Sequence, residues 1–321
     1  MLIFPRLCVA LPALYFSGLA GAQTPAARPA APWPPPSGQL RVIIDSDTGA
    51  EIDDQYALSL ALGSPRRIKL EGIVGAYFGD SGGSDGADKS YAEINRVLDH
   101  AGLKGKIPVK HGAEPFVFKD RAPTSDGVDF IIQEARTATP ENPLWLVMLG
   151  PATDGAAALL RDPSIADRLI VFWHGRTQWP VRCWNFNVFN DVKAARLLFE
   201  LPCRFILFDT GTYLTISMEE TSKRFEPLGP LGRYLQKIRS RRPGFMLPSK
   251  AMFDLGDITA LVDPGAVRYE RTQAPSVDNG LNYDFAHKHG EFVRIYYVER
   301  NTAFDRLESA LKRIPSTQTS N

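Results

Sequence analysis

Cysteine and histidine are scarce in this sequence, with three and five residues among 321. Cys8 lies in the apolar N-terminal segment, which leaves Cys183 and Cys203 for the rest of the chain. A disulfide between these two and two buried free thiols are both compatible with the sequence. No Cys-x-x-Cys or His-x-x-x-His spacing occurs, so the sequence does not predict a zinc site.

An excess of charge of either sign is also lacking. Lys and Arg number 37 against 36 Asp and Glu, a formal net charge of +1. This balance favours neither a nucleic-acid surface nor a polybasic membrane patch, and no nucleic-acid partner is expected. Apolar residues make up 44% of the chain, an ordinary share for a globular protein with a buried core.

Long apolar runs are missing except at the N-terminus. Residues 1–22 combine one basic residue, an apolar stretch broken by Pro12, and Ala20-Gly-Ala22, a pattern typical of a cleaved signal peptide. The apolar stretch is too short for a stable membrane span, so no membrane insertion is expected after cleavage. We therefore predict an exported protein, periplasmic or extracellular. The predicted divisions are a signal peptide (1–22), a Pro- and Ala-rich extended linker (23–37), one folded domain (38–315) and a disordered tail (316–321).

Apolar β-type runs alternate with helical patterns along the predicted domain. This alternation predicts an α/β fold with a mostly parallel central sheet and helices on both faces, a Rossmann-like open sheet. The predicted strands are residues 40–44, 70–76, 109–111, 144–148, 169–173, 204–208 and 291–298. The predicted helices are residues 54–62, 89–101, 128–138, 153–161, 192–201, 228–239, 257–262 and 302–312. In such a sheet, ligands bind outside the carboxyl ends of the strands.

Acidic residues are concentrated at the end of the first predicted strand. Asp45 and Asp47 follow its apolar run, and Asp53 and Asp54 open the next predicted helix. Acidic residues suit a helix N-terminus, because its free N–H groups and its dipole favour negative charge. Carboxylates this close would raise one another's pKa unless a cation lay between them. The stretch therefore predicts a site for an oxygen-preferring ion, Ca²⁺ or Mg²⁺.

One interpretation of this stretch is phosphoryl transfer. The letters Ile43-Ile-Asp-Ser-Asp-Thr48 resemble the first motif of haloacid-dehalogenase-type phosphatases, an apolar strand followed by Asp-x-Asp-x-Thr. That resemblance implies a Mg²⁺ phosphatase with Asp45 as nucleophile. It also requires a second acidic pair, for which Gly256-Asp257 is a candidate, and a Lys at a strand end, which is not evident.

A longer resemblance is to the inosine–uridine preferring nucleoside hydrolases. It begins with Asp45-x-Asp47, the pair Asp53-Asp54 and Ala57-Leu58, and it recurs in order along nearly the whole chain after the linker. The later matching segments are residues 107–115, 125–128, 149–153, 186–191 and 252–254, the last followed by Asp263-Pro264. The resemblance implies an α/β fold and Ca²⁺-dependent hydrolysis of the N-glycosidic bond of a nucleoside or related riboside. Such a reaction has an oxocarbenium-like transition state.

The resemblance also implies a set of metal ligands. Asp47 would bind Ca²⁺ and act as the base that takes a proton from the attacking water. Asp54 would be the second carboxylate ligand, the backbone carbonyl of Leu149 a neutral ligand, and Asp254 the ligand from the far end of the sequence. Asp45 would be an acceptor behind the metal that fixes the loop. Ca²⁺ is expected rather than Mg²⁺.

Further residues would contact the substrate. Asp53 and Asn187 would bind ribose hydroxyls, and Asn185 lies in the same ribose segment. Trp184 could stack on a nucleobase, and His174 could protonate it as it leaves. Each of these side chains also has a structural alternative. Trp184 could pack in the core, His174 could be a structural histidine, and the asparagines could form hydrogen bonds with loop backbone groups.

Three departures from the family pattern concern these roles. The loop from Asp47 to Asp54 is two residues longer than the family's Asp-Pro-Gly-x-Asp-Asp, and it contains Glu51. Asn185 replaces the family's Glu, and Phe253 replaces the His that precedes the last metal ligand. A non-catalytic riboside-binding protein therefore remains an alternative. The expected partner is a small nucleoside or riboside, and a homo-oligomer is left open.

Overall fold

The computed structural model describes residues 28–79 and 83–314. The predicted signal peptide and tail lie outside these residues and stay predictions. The strands are β1 (Leu40–Ser46), β2 (Ile68–Gly75), β3 (Val109–His111), β4 (Leu144–Met148), β5 (Leu169–His174), β6 (Arg204–Phe208), β7 (Thr215–Ser217), β8 (Ser249–Ala251), β9 (Val267–Val277) and β10 (Tyr283–Val298). The α-helices are α1 (Asp53–Leu62), α2 (Gly86–His100), α3 (Asp126–Thr137), α4 (Thr153–Arg161), α5 (Phe186–Asn190), α6 (Val192–Glu200), α7 (Met218–Arg224), α8 (Gly229–Arg241), α9 (Leu255–Val262) and α10 (Arg300–Leu311).

The central sheet has eight strands in the order β3-β2-β1-β4-β5-β6-β10-β9, and β7 pairs with β8 separately. All neighbouring strands of the large sheet are parallel except β10 and β9. The predicted α/β fold with a mostly parallel sheet is therefore confirmed. None of the described helices is long and apolar enough to cross a bilayer.

Strand β1 explains why the inner strands are continuous apolar runs in the sequence. Val42 and Ile44 belong to one core, which includes side chains of α1, α2, α8, α9 and α10. Ile43 belongs to a second core, which includes side chains of α3, α4 and α6. A strand buried on both faces needs apolar side chains on both, so alternation disappears.

The N-terminal strap (residues 28–36) differs from the extended linker that the sequence predicts. Arg28 is buried and donates hydrogen bonds to the carbonyls of Leu198 at 2.9 Å and Phe199 at 2.7 Å. Trp33 is 4% exposed, with its ring centroid 5.9 Å from that of Phe172. The strap therefore packs onto the domain, because a Trp and an Arg in the Pro-rich run find partners on its surface.

The two cysteines of the domain are free thiols. Cys183 and Cys203 are both buried, which decides between the two alternatives that the sequence leaves open. Burial raises the pKa of Cys183 to about 12 and also raises the pKa of Cys203. Both thiols are therefore protonated at neutral pH, and neither has the character of a reactive cysteine.

Candidate active site

The acidic stretch and two later strands meet at one edge of the sheet. Strands β1, β4 and β5 are parallel neighbours, so their carboxyl ends lie side by side. Asp47 follows β1, Leu149 follows β4, and His174 ends β5, while Asp254 comes just before α9. They enclose a cavity of about 50 Å³. Its lining residues are Asp47, Ala50, Glu51, Asp53, Asp54, Leu149, His174, Arg176, Asn185, Phe186, Asn187, Phe253 and Asp254.

Three carboxylates of the cavity lie close enough to share one cation. Asp53, Asp54 and Asp254 each offer an oxygen within 4.8 Å of the others, and all three are buried. Ser46 Oγ donates a 2.6 Å hydrogen bond to Asp54 Oδ1, whereas Asp53 Oδ1 is buried without a partner among the described residues. An unpaired buried carboxylate oxygen is costly unless a cation neutralises it. The donor set therefore fits a metal ion that prefers oxygen ligands.

Burial and the repulsion of neighbouring carboxylates raise the pKa values of Asp47, Asp54 and Asp254. The pKa of Asp54 rises to about 7, first because the group is buried and then because Asp53 carries like charge. The pKa values of Asp47 and Asp254 are raised well above the usual value by burial and then by neighbouring carboxylates. Ionising the whole cluster is therefore unfavourable without a positive charge, and a bound divalent ion would lower these pKa values.

Asp45 belongs to the same stretch but does not line the cavity. Its carboxylate is fully buried, and neither oxygen accepts a hydrogen bond from a described residue. Burial, and then the charges of Asp154 and Asp47, raise its pKa well above the usual value. The predicted role of Asp45 as an acceptor that fixes the loop is therefore not seen. Its position outside the cavity also disfavours the nucleophile that the phosphatase interpretation requires.

The two asparagines of the predicted ribose segment line the cavity, but they also hold the backbone together. Asn187 Nδ2 donates to the carbonyl of Leu149 at 2.6 Å and to that of His174 at 2.9 Å. Asn185 Oδ1 caps α5 by accepting a 2.9 Å hydrogen bond from the Asn187 N–H. The Leu149 carbonyl keeps a second lone pair, which is free to face a cation. Contact of either asparagine with ribose stays a prediction.

His174 is buried and fixed by an acid that the sequence analysis did not connect with it. Its Nδ1 lies 2.7 Å from Asp257 Oδ2 and 3.4 Å from Asp254 Oδ1. Burial raises the pKa of Asp257 to about 6, and the charge of His174 and its hydrogen bond limit that rise. Asp257 lies in the first turn of α9, three residues after Asp254 at the N-cap of the helix, so the two acids face the same side. This three-residue spacing is the sequence feature from which a shared role for the two acids could have been predicted.

The lengthened loop between Asp47 and Asp54 is tied to distant parts of the chain. Lys250 Nζ of β8 donates to Glu51 Oε2 at 2.5 Å. Arg242, directly after α8, donates to the backbone carbonyls of Gly49 and Glu51, the latter at 2.8 Å. Glu51 therefore lines the cavity as the partner of a lysine. The sequence of the acidic loop did not predict its contacts with Lys250 and Arg242.

Two side chains at the cavity differ from the sequence-based expectation. Arg176, which the sequence analysis missed, lines the cavity with a backbone φ of 32° and stacks its guanidinium 4.2 Å from the Phe253 ring centroid. Trp184 is 43% exposed and is absent from the lining of the cavity. Its ring packs edge-on against Phe189 at a centroid distance of 5.1 Å. The structure thus does not bring Trp184 into the predicted base site.

This fold and cavity define a class of protein: an α/β protein whose carboxyl edge carries buried carboxylates arranged around space for one cation. Solved structures of nucleoside hydrolases are similar to it. A plant nucleoside hydrolase, PpNRh1, superposes with a TM-score of 0.66 at 20% identity, covering 85% of this chain and 99% of that one. A purine-preferring ribonucleoside hydrolase from Gardnerella vaginalis gives 0.67 at 22% identity, covering 85% and 99%.

A third similar structure is an inosine-uridine preferring nucleoside hydrolase from Bacillus anthracis, with a TM-score of 0.64 at 16% identity, covering 86% of this chain and all of that one. At these identities the likeness shows the fold. No curated protein matches this chain. The sequence model of the inosine-uridine preferring nucleoside hydrolase family matches residues 42–295, most of the chain. This chain belongs to that family and is a nucleoside N-ribosyl hydrolase.

Proposed function

We propose that this protein hydrolyses the N-glycosidic bond of ribonucleosides or related ribosides with Ca²⁺ bound in the acidic cavity. The observation that carries the proposal is the buried cluster of Asp53, Asp54 and Asp254, whose oxygens lie within 4.8 Å of one another. Asp47 and the Leu149 carbonyl line the same cavity and would complete the ligand shell. Ca²⁺ accepts many oxygen ligands in irregular geometry, whereas Mg²⁺ demands a near-ideal octahedron.

A bound Ca²⁺ would polarise the attacking water and hold the ribose hydroxyls. Asp47 takes a proton from that water while the water oxygen bonds to ribose C1′ and the bond from C1′ to the base nitrogen breaks. Burial raises the pKa of Asp47 in the metal-free site, and a bound divalent ion would lower it again, which leaves the carboxylate ionised and able to accept the proton. Asp53, with an unpartnered buried oxygen, accepts a hydrogen bond from a ribose hydroxyl.

The departing base takes the electron pair of the broken bond and needs a proton. His174 is the candidate donor, since Asp257 engages Nδ1 and leaves Nε2 for the substrate. Arg176 offers a positive charge at the same wall, stacked on Phe253. The cavity of about 50 Å³ holds an ion and water but is smaller than common ligand pockets.

Release of free ribose from purified protein tests this function. Wild-type protein with Ca²⁺ should release ribose from at least one member of a panel of purine and pyrimidine nucleosides, and EDTA should abolish the release. Asp47→Asn should lower kcat by about 10²- to 10⁴-fold, the usual contribution of a general base. Asp263→Asn is a matched control, because Asp263 binds Arg306 at the surface, 2.7 Å away. Ca²⁺ binding without ribose release from any nucleoside would contradict the proposal.

A non-catalytic riboside-binding protein is the second candidate. Asn185 and Phe253, in place of a Glu and a His of the family pattern, favour it. Riboside binding in a calorimeter without turnover would support it over the hydrolase. A Mg²⁺ phosphatase predicts instead that Asp45→Asn removes phosphate release from a generic phosphate ester, whereas the hydrolase predicts no such release from the wild type.

Export is part of the proposal, and it rests on residues 1–22 alone. If the segment is a signal peptide, the exported protein begins after Ala22. Intact-mass measurement of protein recovered from outside the cytoplasm would show this start. Recovery of the full-length chain from the cytoplasm alone would contradict export.

A further inference from the structure

A second, larger cavity of about 560 Å³ adjoins the acidic one. The two share the loop of residues 49–51: Gly49 lines the larger cavity, while Ala50 and Glu51 line the acidic one. The larger cavity lies between α2 and α8, and Phe78 and Tyr234 contribute to its lining. Its size is that of a ligand pocket.

The two cavities carry opposite charge. The larger one is lined by five cationic side chains and a single carboxylate, namely Lys89, Arg96, Lys237, Arg241, Arg242 and Glu93. The acidic cavity has five carboxylates and one Arg in its lining. In a chain with a net charge of only +1, this separation of charge across one short loop gives each cavity a distinct electrostatic character.

The single carboxylate of the larger cavity is already satisfied. Glu93 is buried, and it accepts hydrogen bonds from Gln55 at 3.1 Å and from the hydroxyl of Tyr234, and it pairs with Arg96. Lys237 and Arg241 are exposed, and their side chains form no hydrogen bond or ion pair with another described residue. They are spaced i, i+4 on α8, so they lie on one face of that helix. Cations without protein partners are thus directed at this cavity.

The larger cavity is also connected to the metal loop. Arg242 lines the cavity and donates hydrogen bonds to the carbonyls of Gly49 and Glu51. The same loop leads directly to Asp53 and Asp54 of the cation cluster. An anion that attracted the Arg242 guanidinium would therefore act on the backbone that presents those carboxylates.

We propose that this basic cavity binds a phosphate-bearing ligand. Lys237 and Arg241 of α8 offer charge-assisted hydrogen bonds to phosphate oxygens. On the facing helix α2, Lys89 and Arg96 line the cavity but are already paired with carboxylates. The phosphate has two sources: a substituent of the riboside substrate, which makes the substrate a nucleotide, or a separate phosphate compound that acts as an effector. In the second case, the substrate in the acidic cavity is an unphosphorylated nucleoside.

Calorimetric titration with inorganic pyrophosphate tests the site without reference to catalysis. Wild-type protein should bind pyrophosphate saturably, and added salt should weaken binding because the contacts are ionic. The double variant Lys237→Gln/Arg241→Gln should bind at least about tenfold more weakly. Lys288→Gln, an exposed lysine of β10, is the matched control and should bind like wild type. Thermal unfolding of each variant checks that it is folded.

The proposal is overturned if pyrophosphate shows no saturable binding up to millimolar concentrations, or if Lys288→Gln weakens binding as much as the double variant. If pyrophosphate binds, enzyme kinetics distinguish a substrate phosphate from a separate effector. This kinetic test rests on the proposed function. For a substrate phosphate, the ratio of KM for inosine 5′-monophosphate to KM for inosine rises in the double variant. For an effector, pyrophosphate at a constant free Ca²⁺ concentration changes the rate of inosine hydrolysis by the wild type but not by the double variant. Pyrophosphate binding without any ribose release would refute the hydrolase and leave the site intact.

Discussion

Asp257 contacts the acidic cavity through His174. It is fully buried, and its Oδ2 lies 2.7 Å from His174 Nδ1. This contact favours the ring form with a proton on Nδ1 and directs Nε2 away from the carboxylate. Asp254, three residues earlier, lies farther from the same nitrogen, at 3.4 Å, and belongs to the cation cluster. We therefore assign Asp257 to positioning and Asp254 to metal binding.

Replacement of Asp257 by Asn should lower kcat by about 10- to 100-fold, the usual effect of losing an outer partner of a site residue, with little change in KM. Its pH profile should shift as well, because the ring loses its anionic partner. Asp254→Asn should instead weaken Ca²⁺ binding. Steady-state kinetics across pH and Ca²⁺ calorimetry on both variants separate the roles. Equal loss of Ca²⁺ affinity in the two variants would show that Asp257 is itself a ligand.

Among single residues, the sequence alone was sufficient to predict the acids that follow strand β1 or open helix α1. Asp47 and Asp54 were predicted because acidic residues follow a strand and open a helix, whereas Asp254 was predicted only from the family resemblance. The structure places all three in one cavity. The partners that hold them could not be predicted. Asp257 lies 83 residues from His174, and Arg242 lies 191 residues from Glu51. Such contacts depend on how α8 and α9 pack, which no local pattern encodes.

At the scale of elements, the N-terminal strap is the clearest departure from expectation. The Trp33 ring packs among aromatic rings, with centroids 5.9 Å from Phe172, 6.2 Å from Tyr269 and 6.5 Å from Trp145. Arg271 Nη2 also donates to the Trp33 carbonyl at 3.1 Å. The strap thus covers part of the core next to β9, the edge strand of the sheet.

Replacement of Trp33 by Ala should destabilise the domain by about 3–5 kcal/mol, because a large buried aromatic side chain leaves a cavity. Trp184→Ala is the matched control: the ring is 43% exposed, and its loss should change stability by less than about 1 kcal/mol. The free energy of unfolding in urea measures both. Equal stability of the Trp33 variant and wild type would show that the strap is a passive linker.

The inner strands and the edge strand β3 were predictable, whereas the other edge strand, β9, was not. Strands β1, β4, β5 and β6 are buried apolar runs bounded by turns, and each was predicted within two residues of its ends. Strand β9 was missed because its charged residues alternate irregularly and only its last residues are buried. The short elements α5, α7, β7 and β8 were missed as well. Their formation depends on caps and pairings that become favourable only after the sheet has assembled.

For the whole molecule, the concentration of acidic groups with raised pKa values connects stability to pH and metal. Burial raises the pKa of Asp54 and of Asp154 to about 7, and the pKa values of Asp45, Asp47 and Asp254 are also raised. In the unfolded chain these acids ionise near pH 4. Between pH 4 and about 7, the folded state therefore holds more protons than the unfolded state, and stability falls as pH rises.

In EDTA, we therefore expect the melting temperature to fall as pH rises from about 5 to 8, since each unit of raised pKa costs about 1.4 kcal/mol once the group ionises. Ca²⁺ should raise the melting temperature more at pH 8 than at pH 5, because it binds the ionised cluster. Asp54→Asn should flatten the slope in EDTA and reduce the effect of Ca²⁺. Part of the slope should persist with Ca²⁺, because Asp45 and Asp154 do not line the cation cavity. Differential scanning calorimetry across this pH range measures all of these effects. A melting temperature in EDTA that rises with pH would mean that the carboxylates are stabilised as anions by the protein alone, and the metal assignment would lose its electrostatic basis.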